Sequence, residues 1–112
     1  MEVKAAVFHP AAIAAIRLFP EEVRGVLGKA IFDLQKGEIL AMPLSRPIPS
    51  IASGVEELRI RDRTGIYRAF YYARSPRGIL VIHAFVKKTQ ATPKQESDLA
   101  KKRLKELLHE EV

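Results

Sequence analysis

Apolar and polar positions along the chain predict a mixed α+β protein. The opening MEVKAAVF places Val3, Ala5 and Val7 on one face of a short strand. Residues 9–19 then predict a first helix, because Pro10 suits an initial helical position and the alanines that follow favour helix. Pro20 interrupts it, since helices commonly end before a proline and can restart at one.

A second helix, opened by Pro20, is the clearest predicted element. Glu21 and Glu22 stand in its first turn, where negative charge suits the helix dipole, and Gly37 is a good helix stop. Its apolar residues recur at helical spacing and form one continuous stripe. They are Val23, Val26, Leu27, Ala30, Ile31 and Leu34.

Residues 38–54 contain three prolines and predict an ordered loop that leads to the next strand. This segment is long for a compact domain, and long loops often carry function.

Three strand-like runs follow, at residues 55–62, 66–74 and 78–86. The first alternates apolar and charged residues, and the second is rich in β-branched and aromatic residues. The third is apolar throughout, which predicts a central strand covered on both faces. The connections RTG and SPRG are short and turn-like, so the three strands are expected to form an antiparallel meander.

The last predicted element is a helix with Thr92 as its cap, Pro93 at its first position and Gln95 at the capping-box position. The predicted order is therefore β-α-α-β-β-β-α. The 112 residues suit a single α+β domain, 1–112, and the chain shows no internal repeat.

The composition of the chain argues against metal-binding, secreted and membrane-spanning proteins. The chain has no cysteine, which excludes disulfides and thiolate metal sites, and its three histidines lack the spacing of metal ligands. We expect no metal and no cofactor. The N-terminal sequence lacks the order of a signal peptide, and no apolar run approaches the ~20 residues that span a bilayer. A cytoplasmic location away from membranes is therefore expected.

The charge balance favours a polyanionic partner. Nineteen Lys and Arg residues against thirteen Asp and Glu residues give a net charge of +6, and basic small domains often bind nucleic acid. Several of the cations fall on neighbouring predicted strands, in the turn between them or at the end of the third strand, where they can converge on one concave surface. They are Arg59, Arg61, Arg63, Arg68, Lys87 and Lys88.

Such a groove suits cleavage of RNA by attack of its own 2′-oxygen on the adjacent phosphate. Arginine binds phosphoryl oxygens in two places, and lysine supplies a compact charge that can move protons if its pKa is depressed. A cationic groove would position the phosphate and stabilise the transition state without a metal. The alternative is an ordinary solvated sheet face.

Aromatic and histidine residues of the strands offer further candidates. Tyr71 or Tyr72 can stack on an RNA base, with sheet packing as the alternative, and Phe70 is expected in the core. His83 is either a core histidine or an acid or base that reaches the groove.

The words ELR, YRAFYY and HAFVKKTQATP resemble the RelE/ParE superfamily of bacterial toxins, most closely its phage-derived HigB-like branch. The resemblance covers about residues 2–108. It implies a microbial-ribonuclease-like fold, with two helices on one side of a mostly antiparallel sheet. It also implies Arg59, Arg68, Lys87 and Lys88 as catalytic residues. The groove described above, independently of the resemblance, leads us to expect Arg61, Arg63, Tyr71 and His83 to bind RNA.

The implied activity is endonucleolytic cleavage of mRNA on the translating ribosome. The implied partner is a helix-turn-helix antitoxin, through which alone the toxin would reach operator DNA. The general acid and base are not assigned by this resemblance. Two alternatives remain open: a ParE-like inhibitor of DNA gyrase, and a basic phage-derived interaction module without toxicity.

Overall fold

The computed structural model describes residues 3–87 and 93–109. Five strands form one sheet in the order β1-β5-β4-β3-β2, and three helices lie against it. The elements are β1 (Ala6–Phe8), α1 (Pro10–Ile16), α2 (Glu21–Gln35), β2 (Ser45–Pro47), β3 (Val55–Asp62), β4 (Gly65–Ser75), β5 (Gly78–Lys87) and α3 (Lys94–His109).

The predicted meander is confirmed, because β3, β4 and β5 pair antiparallel in sequence order. β5 lies between β4 and β1, with which it pairs in parallel, and it is buried along almost its whole length. The close approach of β1 requires a glycine at position 78. A Cβ there would lie 2.1 Å from the carbonyl oxygen of Ala5, and φ is +126°.

One face of the sheet is covered by α1 and α2. The apolar stripe of α2, with Val23, Leu27 and Leu34 buried, packs against Leu58 and Tyr67 of the sheet. Phe19 contacts the ring of Tyr67 edge to face at 4.9 Å between ring centroids. The predicted position of two helices on one side is therefore confirmed.

The opposite face carries α3. Ala100, Leu104 and Leu107 of this helix pack against a cluster that includes Phe70, which is fully buried as predicted, and Phe85. Glu57, Arg59 and Arg68 share this face with Phe70. The predicted cap residue Thr92 lies outside the described residues.

Two local features differ from the sequence prediction. Residues 38–54 were expected to be a loop, but Ser45–Pro47 form the edge strand β2, which pairs antiparallel with β3. In β5, Phe70 faces His83 whereas Tyr71 faces Val81, so Ile82 is an extra residue. This β-bulge turns two successive side chains, Ile82 and His83, toward the α3 face.

Candidate anion-binding site

The register of the sheet gathers basic side chains from four strands on the α3 face. Arg59 lies directly opposite Arg68, Arg46 lies opposite Glu57, and Arg61 and Lys87 both pair with Ile66. Directly opposite residues share a face of a sheet. We call Arg46, Arg59, Arg68 and Lys87, together with Glu57, the cationic cluster.

Glu57 is the centre of the cationic cluster. Its side chain is fully buried, and its Oε1 accepts a hydrogen bond from Nη1 of Arg68 at 2.5 Å and another from Nε of Arg46 at 3.1 Å. The Nε of Arg59 lies 3.7 Å from the same oxygen. Three guanidinium groups therefore share one carboxylate oxygen, and the cluster carries four cations against one anion.

The members of the cluster differ in depth. Arg68 and Lys87 are 1% and 2% exposed, so neither reaches solvent in this conformation. The side chains of Arg59 and Arg46 are 26% and 36% exposed. Arg59 also lines a cleft of about 410 Å³, together with Arg61, Ile66, Pro43 and Leu44. Solvent thus reaches the cluster through Arg46 and Arg59, and the deep cations lie beneath them.

Several charged atoms of the cluster are buried without a hydrogen-bond partner. They are Oε2 of Glu57, Nε of Arg59, and Nε and Nη2 of Arg68. Burying an unsatisfied polar atom costs about 1–3 kcal/mol, and more for a charged group. A network that served stability alone would be expected to satisfy such atoms.

Burial and neighbouring positive charges lower the pKa of two cations of the cluster. Burial is the largest cause that lowers the pKa of Arg59, and repulsion from Arg68 and Arg46 lowers it further. Burial likewise lowers the pKa of Lys87, with repulsion from Arg68 as the next cause. Glu57 opposes both shifts. The site thus favours a further negative charge.

The structure brings together three of the predicted catalytic residues, Arg59, Arg68 and Lys87, and places Arg61 beside them in the cleft. Arg68 and Lys87 do converge with Arg59, but both are buried, so their predicted catalytic roles stay predictions. Arg63 is exposed in the β3–β4 turn. Lys88, the fourth predicted catalytic residue, lies outside the described residues.

Tyr71 lies on the other face of the sheet from the cationic cluster. Its ring is 1% exposed within the core beneath α1 and α2, and its hydroxyl group lies 2.7 Å from Oγ of Ser45. The sequence prediction that this ring is free to stack on an RNA base is therefore corrected: the alternation of β4 turns it inward. Burial also raises the pKa of the Tyr71 hydroxyl group.

His83 lies on the cluster's face of the sheet but is held beneath α3. Its Nε2 is 2.7 Å from Oε1 of Glu96, and its Nδ1 contacts Nη1 of Arg103. Because a guanidinium only donates, Nδ1 accepts and the proton of the neutral ring is on Nε2, which donates to Glu96. Burial, the largest cause, and the charge of Arg103 lower the pKa of His83. The geometry therefore corrects the expected contact with RNA to one that joins β5 to α3.

Arg46 and Glu57 were missed by the sequence analysis as site residues. A signal existed for Glu57: it shares one strand face with Arg59 and Arg61, so an acidic residue stands at two-residue spacing from two basic ones. Arg46 gave no comparable signal, because it belongs to a segment that was expected to be a loop.

Chemically, the cationic cluster can hold a tetrahedral anion such as a phosphate group. Arginine N–H groups bind phosphoryl oxygens at fixed angles, and the surplus positive charge stabilises negative charge that builds up on those oxygens.

Within residues 3–87 and 93–109, no three His, Asp or Glu side chains lie close enough together to hold a metal ion. None of the helices in those ranges combines the length and apolar character needed to cross a bilayer.

Comparison with known proteins identifies the fold. A chain of the toxin–antitoxin complex RelBE2 from Mycobacterium tuberculosis has a similar structure, with a TM-score of 0.53 and 13% sequence identity. The match covers 78% of this chain and 100% of that one. The fold is therefore the RelE-like α+β fold that the sequence motifs implied. A search of curated proteins returns no significant match.

The family model of the phage-derived Gp49-like proteins (DUF891) matches residues 14–105. The chain belongs to this family. The predicted relation to RelE-like, phage-derived proteins is thereby confirmed, whereas the assignment to a HigB-like branch remains a prediction.

Proposed function

We propose that this protein is the toxin of a type II toxin–antitoxin system and that it cleaves mRNA on the translating ribosome. The observation that carries the proposal is the cationic cluster, where four cations surround one carboxylate beside an open cleft. The family and the RelE-like fold agree with it. The reaction proposed is metal-independent attack of a 2′-hydroxyl group on the adjacent phosphate.

The different depths of the cations assign different roles. Arg46, Arg59 and Arg61 are the residues that an RNA phosphate would contact, because each has exposed side-chain surface. Arg68 and Lys87 lie below and would act on the same phosphate through their charge. Preorganised cations of this kind stabilise the charge that develops on the phosphoryl oxygens in the transition state.

The partner proposed is a helix-turn-helix antitoxin encoded beside this gene. An exposed basic surface is complementary to an acidic or helical segment of such a partner. Operator DNA would be contacted only through the antitoxin, and the setting for all of these steps would be the cytoplasm.

The proposal is tested by expressing the protein without its antitoxin and mapping transcripts by primer extension. Growth arrest with new 5′ ends inside coding regions is the expected result. Arg59→Gln is expected to lower cleavage by at least about a hundredfold, the scale for loss of one preorganised donor to a developing anion. Arg17→Gln is the matched control, because it removes the same charge from the exposed end of α1, on the opposite face of the sheet.

Three results would contradict the proposal. Arg59→Gln could remain fully active while folded, which would remove the cationic cluster from the mechanism. DNA damage with intact transcripts would indicate a gyrase inhibitor instead. Absence of any growth effect would indicate a non-toxic interaction module.

A further inference from the structure

Glu57 has an unusual relation to the cationic cluster. It is an anion of the protein itself, it is fully buried, and it occupies the centre of a site whose surplus positive charge favours an external anion. Its Oε1 serves three guanidinium groups while its Oε2 has no hydrogen-bond partner. This arrangement leaves the carboxylate incompletely bonded, although Arg59 and Arg68 each have a buried N–H group without an acceptor.

Glu57 lies closer to the buried Arg68 than to the two arginines that solvent reaches. The buried Arg68 donates to it at 2.5 Å, whereas Nε of the more exposed Arg46 and Arg59 lie 3.1 and 3.7 Å away. The Nε of Arg59 makes no hydrogen bond. The two arginines that solvent reaches are therefore those that Glu57 holds least tightly.

We propose that Glu57 is a built-in competitor of the substrate phosphate, which displaces its carboxylate from Arg46 and Arg59 and leaves it bound to Arg68. The identity of the anion as an RNA phosphate rests on the function proposed above. Glu57 is then a positioning residue: it keeps the outer arginines in place while the site is empty and releases them to the substrate. It also limits affinity, since its negative charge repels the incoming phosphate.

The consequence is that removing the negative charge strengthens anion binding. Two unit charges about 5 Å apart interact, in a medium as polar as water, by an amount that corresponds to about a fourfold change in affinity. The factor grows as the site becomes drier. Glu57→Gln is therefore expected to bind inorganic phosphate at least about fourfold more tightly than the unmodified protein.

Glu56→Gln is the matched control. Glu56 is the preceding residue, pairs with Tyr71 and lies on the opposite face of the sheet. The substitution therefore removes the same charge without changing the cluster. Calorimetric titration of all three proteins with inorganic phosphate is expected to show tighter binding for Glu57→Gln alone. Equal or weaker binding by Glu57→Gln would overturn the proposal.

A second variant covers the case in which Glu57→Gln does not fold. Glu57→Asp keeps the charge but withdraws the carboxylate from the outer arginines by one methylene group, and it is also expected to bind phosphate more tightly than the unmodified protein. Unchanged or weaker binding by Glu57→Asp would overturn the proposal as well.

The source of the anion is tested separately with a 2′-O-methyl oligoribonucleotide, which binds but cannot be cleaved by 2′-attack. Tighter binding of both phosphate and oligonucleotide supports the full proposal. Tighter binding of phosphate alone overturns RNA as the displacing ligand, and with it the link to the proposed function, while competition by Glu57 is upheld.

Discussion

The charge balance around Glu57 predicts that removing the anion and removing one cation have unequal effects on stability. Glu57→Gln leaves three guanidinium groups facing one another around a neutral side chain. Removing one partner of a buried ion pair costs about 3–5 kcal/mol, and Glu57 has contacts with three cations at 2.5, 3.1 and 3.7 Å. For a chain of this size, the melting temperature would fall by about 12–20 °C.

Arg68→Met is expected to cost less. Glu57 retains Arg46 and Arg59 as partners, and the change also removes a cation that lowers the pKa of Arg59 and of Lys87. We expect a loss of about 1.5 kcal/mol, the lower end for one hydrogen bond to a charged group. The double variant Glu57→Gln/Arg68→Met should then be more stable than Glu57→Gln alone, because the second change removes the most deeply buried unpaired cation.

Urea unfolding of the unmodified protein, the two single variants and the double variant measures these differences. Glu56→Gln serves as the control and should stay within about 1 kcal/mol of the unmodified protein. The reasoning is refuted if Arg68→Met costs as much as Glu57→Gln. It is also refuted if the two costs simply add in the double variant, since additivity would mean that the residues do not interact.

Three other predictions concern residues outside the cationic cluster. The lowered pKa of His83 keeps the folded protein's imidazole neutral, whereas the unfolded chain takes up a proton near pH 6.5. Stability should therefore fall as pH drops below about 6.5. Urea midpoints measured against pH should show this fall for the unmodified protein, and His83→Asn should lack the contribution of His83. Tyr71→Phe should cost about 1 kcal/mol through the lost hydrogen bond to Ser45, with RNA affinity unchanged in a binding titration. Gly28→Ala has open space around the added Cβ and should stabilise the protein by about 1 kcal/mol, whereas Gly78→Ala should destabilise it. Thermal melts of both variants measure this, and equal shifts of their melting temperatures would contradict the close approach of β1.

The sequence predicted the elements better than the depth of their side chains. Alternation in β3 and β4 and the short RTG turn were enough to bring Arg59 opposite Arg68, because a two-residue period and a tight turn define register. Alternation tells which face a side chain occupies. It does not tell what covers that face, and the burial of Arg68 depends on neighbours contributed by other elements.

The errors on His83 and Tyr71 have the same origin in non-local structure. A single extra residue in β5 places His83 beneath α3, and an apolar run carries no pattern from which that bulge can be read. Tyr71 belongs to a strand with aromatic residues on both faces, so the sequence does not tell whether its ring faces the core. The packing of α1 and α2 decides this. The short strand β2 was hidden by its prolines, which are tolerated at a sheet edge but resemble a loop in sequence.

The two borders of the sheet, β1 and β2, are each three residues long. The unpaired backbone groups of an edge strand can hydrogen-bond to a strand from another molecule. A short edge strand that contains a proline or a charged side chain discourages such pairing. Here β2 carries both, in Arg46 and Pro47. Because Arg46 also belongs to the cationic cluster, replacing it with an apolar β-branched residue would do two things at once: it would weaken anion binding and it would increase the tendency of the protein to aggregate.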